Sequence, residues 1–260
     1  MSVCFIVGHG KSKSGGYDSG AVNGKYHEFQ IAKEITKYAY EYYKATYNED
    51  CFLMNYNGNL YLSERITMAN KERYDFIAEI HLNAGNGTGS EVYYAKGSKT
   101  GKTIASAISK KIALAFDITD RGAKTRTGSN GDYFGIIRQT SAEAVLVETV
   151  FIDTADLNKV KTAEGQKVCG IAIAQAIAQA RGIKPRTAAP VTEVKKVWYF
   201  NKCSNNYTSL VDALKDQGFN SSFSYRKKIA MANGIKVYIG SAKQNITLLN
   251  LYKKGKLIKP

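Results

Sequence analysis

The chain holds three histidines, each placed where a ligand could be presented. His9 follows the apolar run CFIVG and precedes a glycine-rich loop. His27 stands beside Glu28 at the start of a helical pattern. His81 comes near the end of the apolar run FIAEIHL. A hydrolytic zinc site commonly takes three protein ligands and keeps one position open, and two imidazoles with one carboxylate make a common set. His9, His81 and either Glu28 or His27 can converge when each ends a strand or starts the adjoining helix, since such ends gather at one edge of an open sheet. Neighbouring helix residues diverge by about 100°, so only one of His27 and Glu28 points inward. Glu148 adds a second carboxylate, inside AVLVETVF, a run otherwise suited to burial. A lone carboxylate there is unfavourable unless it is paired or faces a cleft. Beside a metal it becomes a general base that takes a proton from water and passes it to a leaving nitrogen. The plainer reading makes His9 and His81 hydrogen-bonded strand ends and Glu148 half exposed, and no HxxxH pattern argues against it.

Three further residues have two readings each. Glu79 stands two residues before His81 and so on the same strand face. It is either a partner for an imidazole or a solvated strand residue. Asn83 either hydrogen-bonds substrate or stabilises the turn after the strand. Arg65, in LSERITMAN, reads as a structural ion-pair or capping residue.

Alternating strands and helices must position these groups. Residues 4–8, 51–55, 76–82, 90–96, 135–140 and 143–150 read as strands, the last with the apolar density of a central one. Residues 27–47 carry apolar side chains at helical spacing. Residues 62–73, with Ser63 as N-cap, 102–116 and 155–182, ending at Gly182, read as helices. Residues 117–135 are polar and glycine-rich, a loop or a loop with a short strand. The pattern is α/β: a twisted mixed sheet covered by helices. No GxGxxG follows the first strand and no P-loop occurs, so nucleotide binding has little support.

Composition divides the chain unevenly. Of the net charge of +15, the segment 197–260 carries +9, with eleven Lys/Arg against Asp212 and Asp216. That implies a polyanionic partner for the tail. Residues 182–196, GIKPRTAAPVTEVKK, hold two of the three prolines and read as a linker. The tail reads as a small α+β unit: strand 197–200, helices near 207–218 and 223–234, strand 236–240 and a helix near 242–255. Trp198, Tyr199, Tyr207, Phe219, Phe223, Tyr225, Tyr238 and Tyr252 are either its core or platforms for sugar rings. The four cysteines are scattered without CxxC and read as buried apolar residues in a reducing compartment. No apolar run is long enough for a membrane span. MSVCFIVGHG lacks a basic n-region and reads as a core strand, so the protein is expected to be made in the cytoplasm without a signal peptide.

The pieces GHG…GAVNGKYHE, IHLNAG and AVLVETVFI, in that order over residues 1–181, resemble the zinc-dependent N-acetylmuramoyl-L-alanine amidases that cut peptidoglycan. The resemblance implies His9, Glu28 and His81 as zinc ligands, Glu148 as catalytic base, and hydrolysis of the amide between N-acetylmuramic acid and L-alanine. The sequence departs from the family in three places. GHGKSKSGG stands where a GHGG-like loop is followed by an acidic residue, AEAV replaces Pro-Ala-Val, and VETVF lacks the glycine before Phe151. The tail resembles the cell-wall-binding domains of phage endolysins that act on clostridia. It implies peptidoglycan and an anionic secondary cell-wall polymer as partners, with no nucleic acid and no membrane insertion, although a helix-turn-helix is not excluded by inspection. Domains 1–181 (catalytic), 182–196 (linker) and 197–260 (wall-binding) follow, with a phage lytic role and holin-dependent release. The competing readings are a non-catalytic wall- or polyanion-binding protein and a zinc carboxypeptidase cutting another amide.

Overall fold

In SVCFIV every residue from Val3 to Val7 is buried, which marks a strand covered on both faces. In the computed structural model, which describes residues 1–186, 198–235 and 238–260, this strand lies between two parallel neighbours. The chain divides into two units, Met1–Lys195 and Lys196–Pro260.

The first unit runs β1 (Ser2–Val7), then two short hairpins, β2 (Gly10–Lys11) with β3 (Tyr17–Asp18) and β4 (Val22–Asn23) with β5 (Tyr26–His27). It continues α1 (Glu28–Thr46), β6 (Asp50–Met54), α2 (Leu62–Glu72), β7 (Phe76–Asn83), β8 (Ser90–Tyr94), α3 (Lys99–Phe116) and β9 (Asp120–Lys124). The hairpin of β10 (Thr127–Gly128) and β11 (Gly131–Asp132) follows, then α4 (Gly135–Gln139), β12 (Glu143–Phe151), α5 (Leu157–Val160) and α6 (Ala163–Ala180). Six strands form one mixed sheet in the order β6-β1-β7-β12-β8-β9. Strands β6, β1, β7 and β12 are parallel, β8 is antiparallel to β12, and β9 is parallel to β8.

The period of two along each strand assigns the faces. Ile80, Val147 and Val92 share one face and pack under Ile35, Ile108 and Ile173 of α1, α3 and α6. On the other face Cys4, Ile6, Ile77, Ala144 and Leu146 pack with Ile66 of α2 and Ile136 of α4. That second apolar cluster ends at Ile77 and Leu146. The next positions on its face are Glu79 and His81 on β7, Glu148 on β12 and Glu91 on β8.

Several expectations need correction. GIIRQT is a short helix, not a strand: Ile136 and Ile137 are buried against the second core, so packing overrides the β preference of the paired isoleucines. Ser63 is not the cap of α2. The helix starts at Leu62, Tyr61 is the N-cap, and the Tyr61 N–H donates to Glu64 Oε2 at 2.6 Å. The region 117–135 holds β9 and a hairpin. The expected linker starts too early. Arg186 donates to the carbonyls of Thr46 and Tyr47, and Pro185 bridges to Tyr47, so 183–186 are tied to the end of α1. The rest of it, 187–196, lies outside the described residues.

The second unit has its own core, including Phe200, Leu214, Ile229, Leu248 and Tyr252. Its helices are α7 (Leu210–Asp216), α8 (Phe223–Ala232) and α9 (Ala242–Lys253). Each starts on a serine, Ser209, Ser222 or Ser241, whose hydroxyl accepts a first-turn N–H. The expected α+β character is not seen among the described residues. Of strand 197–200 there is a single bridge, Tyr199 to Ile258, and 238–240 form no strand; Val197, Lys236 and Val237 lie outside the described residues. The aromatics divide. Tyr238 and Tyr252 are core, Tyr207, Phe219 and Tyr225 flank it, and Trp198, Tyr199 and Phe223 are exposed. All four cysteines are free thiols, and Cys4, Cys169 and Cys203 are buried. No helix among the described residues is long and apolar enough to cross a membrane.

Candidate metal centre and active site

The site starts where β1 ends. Gly8 donates its N–H to Ile80 at 3.1 Å, holding the chain beside β7. A Cβ at Gly8 would fall 2.3 Å from the His81 ring, so a side chain there is excluded. His9 follows in the left-handed region, φ 61°, uncommon outside glycine. Its carbonyl is fixed by Asn55 Nδ2 at 2.8 Å and Arg65 Nη1 at 3.2 Å. The β2–β3 hairpin then brings Asp18 back, with Oδ2 2.9 Å from His9 Nδ1. Gly20, at φ +65°, leaves room for two of the functional side chains: a Cβ there would lie 2.6 Å from Glu28 Oε2 and 2.7 Å from His9 Cδ2. Glu28 opens α1 with its own N–H on the Ala21 carbonyl.

Glu28 Oε1 lies 3.1 Å from His9 Nε2 and 2.9 Å from His81 Nδ1. It also accepts the Leu82 N–H at 3.0 Å, while Oε2 accepts the Ala21 N–H at 2.8 Å. One ligand atom from each of His9, Glu28 and His81 lies within 4.8 Å of the others, so the three could hold a metal ion. Each imidazole has a carboxylate behind it: Asp18 for His9, and Glu79, with Oε2 3.6 Å from Nε2, for His81. Such outer carboxylates fix ring orientation and raise ligand basicity. Arg65 ties the two halves together, since it holds the His9 carbonyl and donates through Nε to Glu79 Oε1 at 2.8 Å.

The electrostatics follow from burial and partners. Burial alone would raise the Glu28 carboxyl, but hydrogen bonds from His81 and His9 hold it far below the carboxylate range. Burial would lower His81, but Glu28 and Glu79 outweigh it and push the imidazole up to about 10. His9 is raised in the same way, with Glu28 the main opponent of its burial. Without an ion, the Glu28 carboxylate between the rings favours their protonated forms. A divalent cation can replace the two protons, because metal binding to histidine releases them.

Glu148 pairs in register with His81 on β7 and with Glu91 on β8, so the three side chains share a face one strand apart. Its Oε2 is enclosed and has no hydrogen-bond partner among the described residues. Burial pushes this carboxyl up to about 7, with the nearby Glu28 and Glu91 charges adding to the rise. Glu91 is buried yet fully engaged. It accepts from Asn83 Nδ2 at 2.9 Å, the Tyr93 hydroxyl at 3.0 Å and Arg121 Nε at 2.6 Å.

The structure thus brings His9, Glu28 and His81 together and sets Glu148 beside them. His27 is not in the group. It pairs with Val22 and stands at the N-cap position of α1, where its side chain makes no capping hydrogen bond. Glu79 is 2% exposed, which overturns the solvated reading. Asn83 holds Glu91 and accepts the Ala84 N–H, the turn-stabilising role. Arg65 is an ion-pair residue. Asp18, Asn55, Glu91 and Arg121 were not singled out from the sequence. Asp18, in GGYDSG, reaches His9 only because the β2–β3 hairpin folds it back. Glu91, in SEVYY, carries the signal that exposed Glu148: an acid inside a strand of apolar and aromatic residues.

A parallel-centred sheet with a two-His, one-Glu cluster at its edge and an unpaired carboxylate alongside defines a candidate metal-dependent hydrolase. Residues 3–179 match the model of the N-acetylmuramoyl-L-alanine amidase family, and the chain belongs to that family. The reaction class comes with it: peptidoglycan hydrolysis at the N-acetylmuramoyl-L-alanine amide. The chain is 30% identical over 211 residues to a sporulation-specific N-acetylmuramoyl-L-alanine amidase of Bacillus subtilis (strain 168), covering 80% of each. It is 34% identical over 151 residues to an endolysin of Bacillus phage SPP1, covering 55% of this chain and 53% of that one. The catalytic domain of an endolysin targeting Clostridia difficile superposes with a TM-score of 0.57 at 28% identity, covering 69% of this chain and 97% of that one.

Proposed function

We propose that His9, Glu28 and His81 hold a zinc ion, that Glu148 is the general base, and that the enzyme serves as an endolysin. The observation that carries the assignment of roles is the contrast in hydrogen bonding. Both Glu28 oxygens accept hydrogen bonds and every ring nitrogen of His9 and His81 faces a carboxylate, whereas Glu148 Oε2 has no partner and sits in register beside His81. When bound, zinc supplies Lewis-acid polarisation of the scissile carbonyl and charge stabilisation as the amide is attacked. Glu148 takes the proton from the attacking water as the carbon–oxygen bond forms. It returns that proton to the departing alanine nitrogen as the carbon–nitrogen bond breaks, leaving a lactyl carboxylate and a free amino terminus. Asp18 and Glu79 orient the imidazoles from behind.

Residues 1–186 form the catalytic part in this reading, 187–196 the connection and 197–260 the wall-binding part. The excess of Lys/Arg in the last suits an anionic secondary polymer of the wall. The similarity to a phage endolysin supports a lytic role at the cell wall, and this reading includes release through a holin pore. The test uses purified Gram-positive walls, with and without chelator, followed by identification of new end groups. Free amino-terminal alanine, lost with chelator and restored by zinc, is the expected result. New reducing sugars, another free terminus or wall binding without release would overturn the proposal.

A further inference from the structure

Beyond Glu148 the sheet continues to β8 and β9, and that flank holds a guanidinium the reaction above does not use. Arg121 donates through Nε to buried Glu91 at 2.6 Å, and its guanidinium lies 5.1 Å from the Phe151 ring centroid. Neither Nη group hydrogen-bonds a described residue, and the side chain is 36% exposed. Glu91 is itself locked by Asn83 and Tyr93. The guanidinium is therefore held on one edge and open on the other, an arrangement that presents parallel donors to a planar anion.

The surroundings favour a negative ligand. The stretch 120–126, DRGAKTR, carries three cations against Asp120, and Asp120 is already engaged by Ser109. Arg126 stacks on Tyr133 at 3.8 Å, Tyr133 packs on Phe134, and Phe134 packs on Tyr93. A second guanidinium thus stands on the same flank. Strands lie about 4.8 Å apart, so β9 is roughly 10 Å from β12. An extended peptide advances about 3.5 Å per residue, so this flank lies within reach of the residues just past the scissile amide. On the sugar side, the lactyl carboxyl of N-acetylmuramic acid is consumed in the amide. The free carboxylates belong to the peptide.

We propose that Arg121, positioned by Glu91, is a specificity-determining residue that binds a carboxylate of the stem peptide on the leaving side of the scissile amide. The proposal rests on the amidase reading above. The test compares purified peptidoglycan, stripped of its anionic polymers, before and after its peptide carboxylates are converted to carboxamides, with release of amino-terminal alanine by the full chain as readout. Amidation is expected to lower kcat/KM of the parent about ten- to a hundredfold, mainly through KM, the range for losing a charge-assisted hydrogen-bond pair. Arg121→Gln should show that loss on the untreated wall and little further loss on the amidated one, with metal content unchanged. Arg121→Lys should fall between. A parent enzyme insensitive to amidation overturns the proposal, as does an Arg121→Gln loss of equal size on both walls, which would mark a structural role. Failure of the parent to release alanine from untreated wall overturns the amidase reading, and this proposal with it.

Discussion

Glu28 and Glu148 stand at the same edge of the sheet, and the protein treats them in opposite ways. Glu28 engages both oxygens, with two imidazoles and two backbone N–H groups around them. Glu148 is enclosed with Oε2 unpartnered. One carboxyl is driven far down and the other up to about 7. The residue type is the same, and the difference in hydrogen-bond supply separates a fixed charge from a proton carrier.

Removing the fixed charge is the harshest way to test that contrast. Glu28→Ala should abolish both zinc binding and alanine release, measured by metal content and end-group analysis. If metal content is retained, Glu28 is no ligand. Glu148→Gln should instead keep the metal and lower hydrolysis about 10²–10⁴-fold, the range for losing a general base. Near-parental activity would remove Glu148 from the chemistry. A milder change reaches the ligand set from behind: Asp18→Asn should weaken zinc affinity about 10–100-fold in chelator competition, as for other outer carboxylates.

The comparison also has a pH signature in chelated protein. The His81 imidazole is raised from 6.5 to about 10, so its stabilisation is full below 6.5 and is lost as pH rises through 10. Glu148 is raised from 4.5 to about 7, so the folded state binds its proton more tightly and loses stability between those values as pH rises. Glu148→Gln removes only the second effect. The Tm of the variant minus that of the parent should be near zero at pH 4.5, grow through pH 7 and then level off, corresponding to on the order of 1–3 kcal/mol. A difference independent of pH would contradict the assignment. The smallest expected effect lies in the other unit. Reversing exposed Lys227 and Lys228 to Glu should weaken retention on polymer-bearing walls in a salt-dependent way. Salt-insensitive retention equal to the parent's would count against a charge-driven partner.

The sequence displayed the ligand set more clearly than the residues that support it. His9, Glu28 and His81 are chemically rare or misplaced in their runs, and Glu148 interrupts an apolar strand, so each is visible by type. Asp18 is one acid among loop residues, and its role depends on a hairpin whose strands are two residues long. Glu79 was visible, but its burial was not, since that depends on Arg65 folding over from α2. Central strands were legible because burial on both faces leaves a continuous apolar run. GIIRQT misled because a six-residue segment carries too little periodicity to separate a strand from a helix. In the second unit the strand expectations rested on aromatic and β-branched residues, of which Phe200 packs in the core while Trp198 and Tyr199 are exposed.

The order of strands has a consequence in time. Strands β7 and β8 are joined by a short loop, yet β12 lies between them. In the folded sheet the two do not form a hairpin, and residues 143–151 have to be inserted between them. Pairing over such a sequence separation slows folding. A chain emerging from the ribosome therefore has His9, Glu28 and His81 early and gains Glu148 only with the strand that completes the sheet. Every nascent or truncated form ending before that strand lacks the proposed base, so hydrolytic competence arrives late, together with the closed sheet.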